Sequence, residues 1–237
     1  MNDKIKGIVL RIIDYKDNDQ ILHVLSEKDG VLSLVCKSSK KILSKRRYFE
    51  GCLYEFIVDL KDNKNIYSIH NSKLIKSYYD LDNTLLYSFK LILLEAIYKS
   101  KELYEEKMFT NLIFILDRID INNKYLLGSL YFSYLLNIHG IKPNVEECVI
   151  CKNKKVVAIS NKLGGFLCVD HLNGEKPSQV DALKKFRLIV LASINNYDFI
   201  KDFDFDYLDF KRLVDFFIHN SAINLVSFDF YTRINNE

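Results

Sequence analysis

At 237 residues, with 49% apolar and 27% charged residues and only two prolines and eight glycines, the chain has the balance of a folded protein of one or two domains, not of a disordered or collagenous one. Thirty-four Lys+Arg against thirty-one Asp+Glu leave a formal charge of +3, too little for the whole molecule to act as a polycation, so any polyanion site must be local. The longest mostly apolar, uncharged stretch, residues 125–138, contains Gly128, Ser129, Ser133 and Asn137 and is shorter than the roughly 20 residues of a membrane span. Lys4, Lys6 and Arg11 interrupt any signal-peptide core, so a cytoplasmic protein with no membrane partner is expected.

Apolar, β-branched runs at residues 7–13, 20–25 and 31–36, the last following the turn Glu27-Lys28-Asp29-Gly30, predict a three-strand meander. Two more strands are expected at 52–60 and 66–69 around the polar loop 62–65. Five short strands predict a small barrel, for which the OB-fold is the five-stranded candidate; strand count alone leaves an SH3-like barrel open. From residue 81 the period changes. Leu81, Leu85, Phe89, Ile92, Leu93, Ala96 and Ile97 line one helix face, with Asp80 and Asp82 as candidate caps. Further helices are expected at 106–119, at 124–139 up to Gly140 and Pro143, at 178–196 and at 206–225. The expected fold is α+β: an N-terminal five-stranded OB-fold barrel, residues 1–80, binding nucleic acid, then an α-helical domain, residues 81–237, with a zinc ribbon inserted at about 145–175.

The sharpest motif is Cys148-Val149-Ile150-Cys151, sixteen residues, then Cys168-Val169-Asp170-His171. In each half two ligands stand three positions apart, which lets a tight turn aim both at one metal. Residues 156–159 look like a strand, and Gly164-Gly165 supplies the turn that folds the second pair onto the first. Three thiolates and an imidazole fill a tetrahedron and leave no open position, so a structural Zn2+ held by Cys148, Cys151, Cys168 and His171 is expected. Five cysteines, an odd number with three inside twenty-one residues, fit a reducing compartment better than a disulfide framework. Cys36 and Cys52 lie in strand patterns and read as small core residues.

Between the third and fourth expected strands, residues 37–47 hold six cations and no acid: Lys37, Lys40, Lys41, Lys45, Arg46 and Arg47. Such a loop concentrates positive potential on one edge of the barrel and suits phosphates. Tyr48 is open between stacking on unpaired bases and anchoring the next strand, whereas Phe49 reads as an anchor. Residues 1–80 carry fifteen Lys+Arg against eleven Asp+Glu, a surplus of four that leaves the remainder at −1, so the charge asymmetry also points to the barrel. The sequence lacks a phosphate-loop pattern, a dinucleotide-binding glycine fingerprint and a His-Glu-Xaa-Xaa-His helix, and no catalytic residue is expected.

The order of these pieces resembles the bacterial recombination mediator family RecO. The resemblance is carried by Gly7-Ile8-Val9-Leu10-Arg11, by Asp29-Gly30-Val31-Leu32-Ser33-Leu34-Val35-Cys36-Lys37 leading into the basic stretch, by Gly140-Ile141-Lys142-Pro143 ahead of the first cysteine pair, and by Gly164-Gly165-Phe166-Leu167-Cys168. His171 stands where the family's ribbon often has a fourth cysteine. The resemblance implies a non-enzymatic, nucleoid-associated DNA-repair protein. It would bind single- and double-stranded DNA, anneal complementary strands and, with RecR, help load RecA onto DNA covered by single-stranded DNA-binding protein, whose acidic C-terminal tail docks on the helical body. Lys184, Lys185, Arg187, Lys211 and Arg212 supply charge for such a tail, although charges on helix surfaces are usually only solvated. Two alternatives are an RNA-binding OB protein of translation or RNA processing, and an interaction scaffold whose basic loop is incidental.

Overall fold

The computed structural model describes residues 3–44, 46–60, 65–80 and 82–235. Its first five strands are β1 (Asp3–Tyr15), β2 (Asp19–Ser26), β3 (Val31–Cys36), β4 (Cys52–Val58) and β5 (Tyr67–Ser77). They close into a barrel in the order β1-β2-β3-β5-β4, the OB-fold arrangement expected from the sequence. All contacts between neighbours are antiparallel except a short parallel seam, Leu34 opposite Tyr67 and Val35 opposite Ser68, where β3 meets β5. β1 pairs with both β2 and β4, and it bends at an irregularity between Val9 and Arg11. Gly7 lies in this crowded strand. A Cβ there would sit 2.4 Å from Val24 Cγ1 and 3.0 Å from the Leu25 carbonyl, so no larger residue fits without a backbone shift.

Val9, Leu22, Val24, Leu34, Cys36, Cys52, Tyr54, Phe56 and Val58 fill the barrel, and both cysteines behave as the small core residues their strand positions implied. Ile8, Leu10 and Leu25 on the other face of their strands are also buried. Helix α1 (Thr84–Lys99) lies against β1. It is capped by Asn83, whose side chain accepts from the Leu86 N–H, one residue beyond the expected Asp82; Asp80 instead accepts from the Asn83 N–H, and Leu81 lies outside the described residues.

The remaining helices are α2 (Lys107–Arg118), α3 (Lys124–Ile138), α4 (Val180–Leu191), α5 (Tyr197–Ile200), α6 (Tyr207–Ser221) and α7 (Val226–Asn235). The expected helix at 178–196 ends at Leu191, and that at 206–225 ends at Ser221, where Ala222 takes a left-handed conformation with φ 57°. Two compact units result, Met1–Leu116 with Leu225–Glu237, and Asp117–Asn224. The boundary near residue 80 marks where strand gives way to helix. Compactness instead groups α1 and α7 with the barrel, because α1 covers β1 and α7 packs on α1. No helix of the described residues is long and apolar enough to cross a membrane.

The α1–α7 contact is locked by one carboxylate. Glu95 accepts from the Val226 N–H at 3.2 Å and the Ser227 N–H at 2.7 Å, supplying from α1 the cap that the first turn of α7 needs, and it pairs with Lys99 at 2.9 Å. Burial alone would raise its pKa, but the hydrogen bonds from Ser227 and the Lys99 ammonium win and hold it below its usual value. Glu95→Ala should lower stability by about 1–3 kcal/mol, measured by denaturant unfolding. The stabilisation is complete above the ordinary carboxylate range and is lost as pH falls through the depressed value, so the acid limb of the unfolding profile should shrink in the variant.

Candidate nucleic-acid interface and metal centre

The barrel order places β3 and β4 on opposite sides of β5, so the chain between them must cross the barrel end. The basic interval is that crossing. Its start is tied to the β1–β2 turn: the Ser38 N–H donates to Asp19 Oδ1 at 2.8 Å, the Lys40 N–H donates to the Asn18 carbonyl at 3.1 Å, and Lys40 Nζ pairs with Asp14 at 2.7 Å. Its far side is tied to β5, where Arg46 Nη2 donates to the His70 carbonyl at 3.1 Å. Lys37, Lys40, Lys41, Arg46 and Arg47 are all exposed, and Lys45 lies outside the described residues. Lys37, Lys41 and Arg47 have no acid partner among the described residues, whereas Lys40 is partly neutralised by Asp14.

Tyr48 is the anchor and not the platform. Its ring is buried in the barrel between Tyr54 and Phe56, its hydroxyl shares a 2.8 Å hydrogen bond with Ser72 Oγ, and burial pushes its pKa up to about 12 despite that bond. A ring held this way has no free face for a base. Its neighbour Phe49 is the exposed ring, 47% accessible, and it stacks on Tyr79 with centroids 5.3 Å apart. Of the two adjacent rings Tyr48 is thus the buried one and Phe49 the exposed one; both precede β4, where no regular alternation of faces applies. A hollow of about 390 Å³ opens beside them, bounded by Gln20, Lys40, Lys41, Arg47 and Phe49.

Sequence reasoning passed over a second feature, the two residues between the lysine pair and the arginine pair. Ile42 and Leu43 are 90% and 92% accessible, the most exposed of the large hydrophobic residues described. The signal was present as two aliphatic letters inside a polar run.

In the second unit the cysteine motif folds onto a hairpin, β6 (Ala158–Ser160) with β7 (Gly165–Leu167). Cys148 opens a tight turn in which its N–H donates to the Asn153 carbonyl and its carbonyl accepts from the Lys152 N–H; the second turn is closed by the His171 N–H donating to the Cys168 carbonyl. The four candidate ligand atoms lie within 4.8 Å of one another. Cys151 Sγ is 3.6 Å from Cys168 Sγ, and His171 Nδ1 is 3.2 Å from Cys168 Sγ and 3.8 Å from Cys148 Sγ. Edges of about 3.3–3.8 Å are those of a tetrahedron around an ion with bonds of about 2.0–2.3 Å. All three cysteines are free thiols, so no disulfide competes for them.

The electrostatics of the cluster fit a cation. Burial works against a Cys148 thiolate, but N–H groups of Cys151, Cys168 and Ile150 outweigh it and bring the thiol to about 6. Burial and the neighbouring sulfurs of Cys151 and Cys148 raise Cys168. Three adjacent sulfurs cannot all ionise without a positive charge among them, which a divalent ion supplies. The group Cys148, Cys151, Cys168 and His171 could therefore hold a metal ion.

Other cations named from the sequence are differently placed. Lys185 pairs with Asp181 and Asp209, Arg212 with Asp209, and Lys211 with Asp215. Arg187 reaches Glu146 at 2.6 Å on the surface. Lys184 and Arg187 border a mainly apolar pocket of about 470 Å³ lined by Leu188, Leu191, Phe199 and Ile200.

Gly165 sets the ribbon's close approach. A Cβ there would lie 2.3 Å from the Asn144 carbonyl oxygen and 2.9 Å from Val149 Cγ1, in the place where the Phe166 N–H donates to that same carbonyl. Gly165→Ala should destabilise the chain by about 1–3 kcal/mol, measured by denaturant unfolding, and make residues 144–171 more susceptible to protease than in the unaltered chain.

Comparison with known proteins gives a consistent answer. The family model described as "Recombination protein O N terminal" matches residues 1–78, the span of the barrel. A DNA repair protein RecO from Mycoplasma mycoides is 32% identical over 173 residues, covering 68% of this chain and 68% of that protein. One from Dehalococcoides mccartyi is 29% identical over 206 residues, 81% of this chain and 80% of the relative, and one from Clostridium perfringens is 27% identical over 176 residues. With matches running from the barrel into the helical part of the chain, the protein belongs to the RecO family of DNA repair proteins.

Proposed function

We propose that this protein is a recombination mediator without catalytic activity. It binds single- and double-stranded DNA through the barrel domain, residues 1–80, promotes strand annealing, and with RecR helps load RecA onto DNA coated by single-stranded DNA-binding protein. One observation carries the reading: Lys37, Lys41 and Arg47 are exposed on the barrel-end crossing with no acid among the described residues to neutralise them. Unpaired cations at one edge attract phosphates and release their counterions. They also screen the repulsion between two phosphate backbones, which is the electrostatic obstacle to annealing and requires no bond to be made or broken. The DNA-binding set is Lys37, Lys40, Lys41, Lys45, Arg46 and Arg47, with Phe49 replacing Tyr48 as the stacking ring. A cytoplasmic, nucleoid-associated location follows from that binding.

In the helical domain, residues 81–237, we assign the acidic tail of single-stranded DNA-binding protein to the apolar pocket bordered by Lys184 and Arg187. Lys185, Lys211 and Arg212 are paired with aspartates and Arg187 with Glu146, so what favours this seat is its apolar lining beside the exposed Lys184. The ribbon, at about residues 145–175, holds one Zn2+ as a structural ion, since four protein ligands leave no position for water or substrate.

Reversing Lys40, Lys41, Arg46 and Arg47 to Glu should abolish binding of oligonucleotides in a fluorescence anisotropy titration. The unaltered chain should weaken with salt, at about 0.7 log units of affinity per log unit of salt for each phosphate contacted on a single strand. A scaffold with an incidental loop predicts unchanged binding, and a large preference for RNA over DNA of the same sequence would replace the repair reading with the RNA-binding one.

Metal analysis tests the ribbon. Purified chain should carry one equivalent of zinc by plasma emission, and Cys148→Ser or His171→Ala should release it. A folded chain that takes up no zinc would overturn the assignment.

A further inference from the structure

Ile42 and Leu43 occupy the two central positions of a turn closed by the Ser44 N–H, which donates to the Lys41 carbonyl at 2.9 Å. Turns of this kind favour Gly, Pro, Asn, Asp and Ser at their centre, each for a conformational or hydrogen-bonding reason that Ile and Leu do not share. Packing does not explain them either, since both side chains are at least 90% accessible. Scattered exposed aliphatics need no explanation, but two adjacent ones at the apex of a loop anchored on both sides do. The flanking residues Lys40, Lys41, Arg46 and Arg47 would bring this apex against a polyanion.

We propose that Ile42 and Leu43 form an apolar wedge that enters between stacked bases where single-stranded DNA meets duplex, while the surrounding cations hold the phosphates. This rests on the DNA-binding reading of the loop and extends it from attraction to deformation of the bound strand. Aliphatic side chains act in this way in proteins that unstack a base step, replacing base–base contact with contact to the wedge. The β-branched Ile42 has restricted rotamers, so little freedom is lost on insertion. The hollow beside the turn, about 390 Å³ and edged by Lys41, Arg47 and the exposed Phe49 ring, provides room for a displaced base against an aromatic face. An anionic lipid surface is the weaker occupant: two aliphatic side chains offer less apolar area than a single myristoyl chain, which itself binds membranes only marginally.

The test uses the full chain and a partly duplex oligonucleotide carrying 2-aminopurine at the single-strand/duplex boundary, beside an oligothymidine of equal length. The unaltered chain should raise 2-aminopurine fluorescence on binding. Ile42→Ser with Leu43→Ser should abolish the rise, weaken boundary binding by about tenfold, and leave the salt dependence of oligothymidine binding unchanged, while Ile42→Met with Leu43→Met should retain the signal. A serine variant that still raises the fluorescence at saturation overturns the wedge and leaves the DNA-binding reading intact. So does a serine variant whose only defect is weaker binding to phosphatidylglycerol vesicles. An unaltered chain that binds neither oligonucleotide at low salt overturns the DNA-binding reading itself.

Discussion

The short parallel seam between β3 and β5 is the contact that closes the barrel. Two residue pairs, Leu34 with Tyr67 and Val35 with Ser68, turn a meander with two free edges into a closed cylinder. Closure in this order puts β5 between β3 and β4, and a chain that must travel from one to the other cannot do so by a two-residue hairpin. It has to pass over the end of the barrel. The basic interval makes that passage, held by Asp14, Asn18 and Asp19 around the β1–β2 connection and by the His70 carbonyl on β5.

Charge and core are kept apart along the crossing by one residue. Tyr48 enters the barrel beside Tyr54 and Phe56 and satisfies its hydroxyl on Ser72, so the segment re-enters the fold at a fixed point and the cations before it remain in water. An ammonium or guanidinium could not take that place, because burying it unpaired costs far more than burying a hydrogen-bonded phenol. The local concentration of positive charge is thus compatible with a nearly neutral molecule. At physiological ionic strength the Debye length is about 8 Å, so the loop acts on the groups it touches and barely beyond them.

Those parts of the fold governed by period and by ligand chemistry were legible in the sequence. β1 to β4 are apolar runs, α1 repeats its apolar residues at three and four, and the four residues that could hold a metal ion announce themselves by residue type and spacing. The second half of β5 was hidden because Lys73, Leu74, Ile75 and Lys76 are all exposed; with neither face buried, no alternation is imposed on the residues. Helix α7 was hidden for a different reason. It is ten residues long and buries only Phe228 and Tyr231, too few to show a helical period, and it is its packing on α1, through the Phe89–Tyr231 ring contact and the cap on Glu95, that makes it part of the first unit. The exposure of Phe49, which read as an anchor, has a local cause: in an irregular crossing, which of two aromatic neighbours turns inward is a tertiary choice that sequence spacing does not encode.

The metal cluster obeys a different logic from the loop. In the loop, Lys37, Lys40, Lys41, Arg46 and Arg47 are exposed to water; in the ribbon, Cys148 and Cys168 are buried and their ionised forms would repel one another with little water to screen them. Hydrogen bonds from the turn backbone favour ionisation at Cys148 while the adjoining sulfurs oppose it at Cys168, an imbalance that four neutral side chains would leave unresolved and that a cation at their centre removes. Around the ribbon's cysteines the apolar cluster is small, Cys148, Ala158, Leu167 and Cys168 with Val149 and Leu172 against them, and a hairpin of three-residue strands is marginal alone. An ion held by Cys148, Cys151, Cys168 and His171 would add four bonds to that small cluster. The two clusters thus differ in kind: the cations of the loop are exposed to water, whereas Cys148 and Cys168 in the ribbon are buried beside one another.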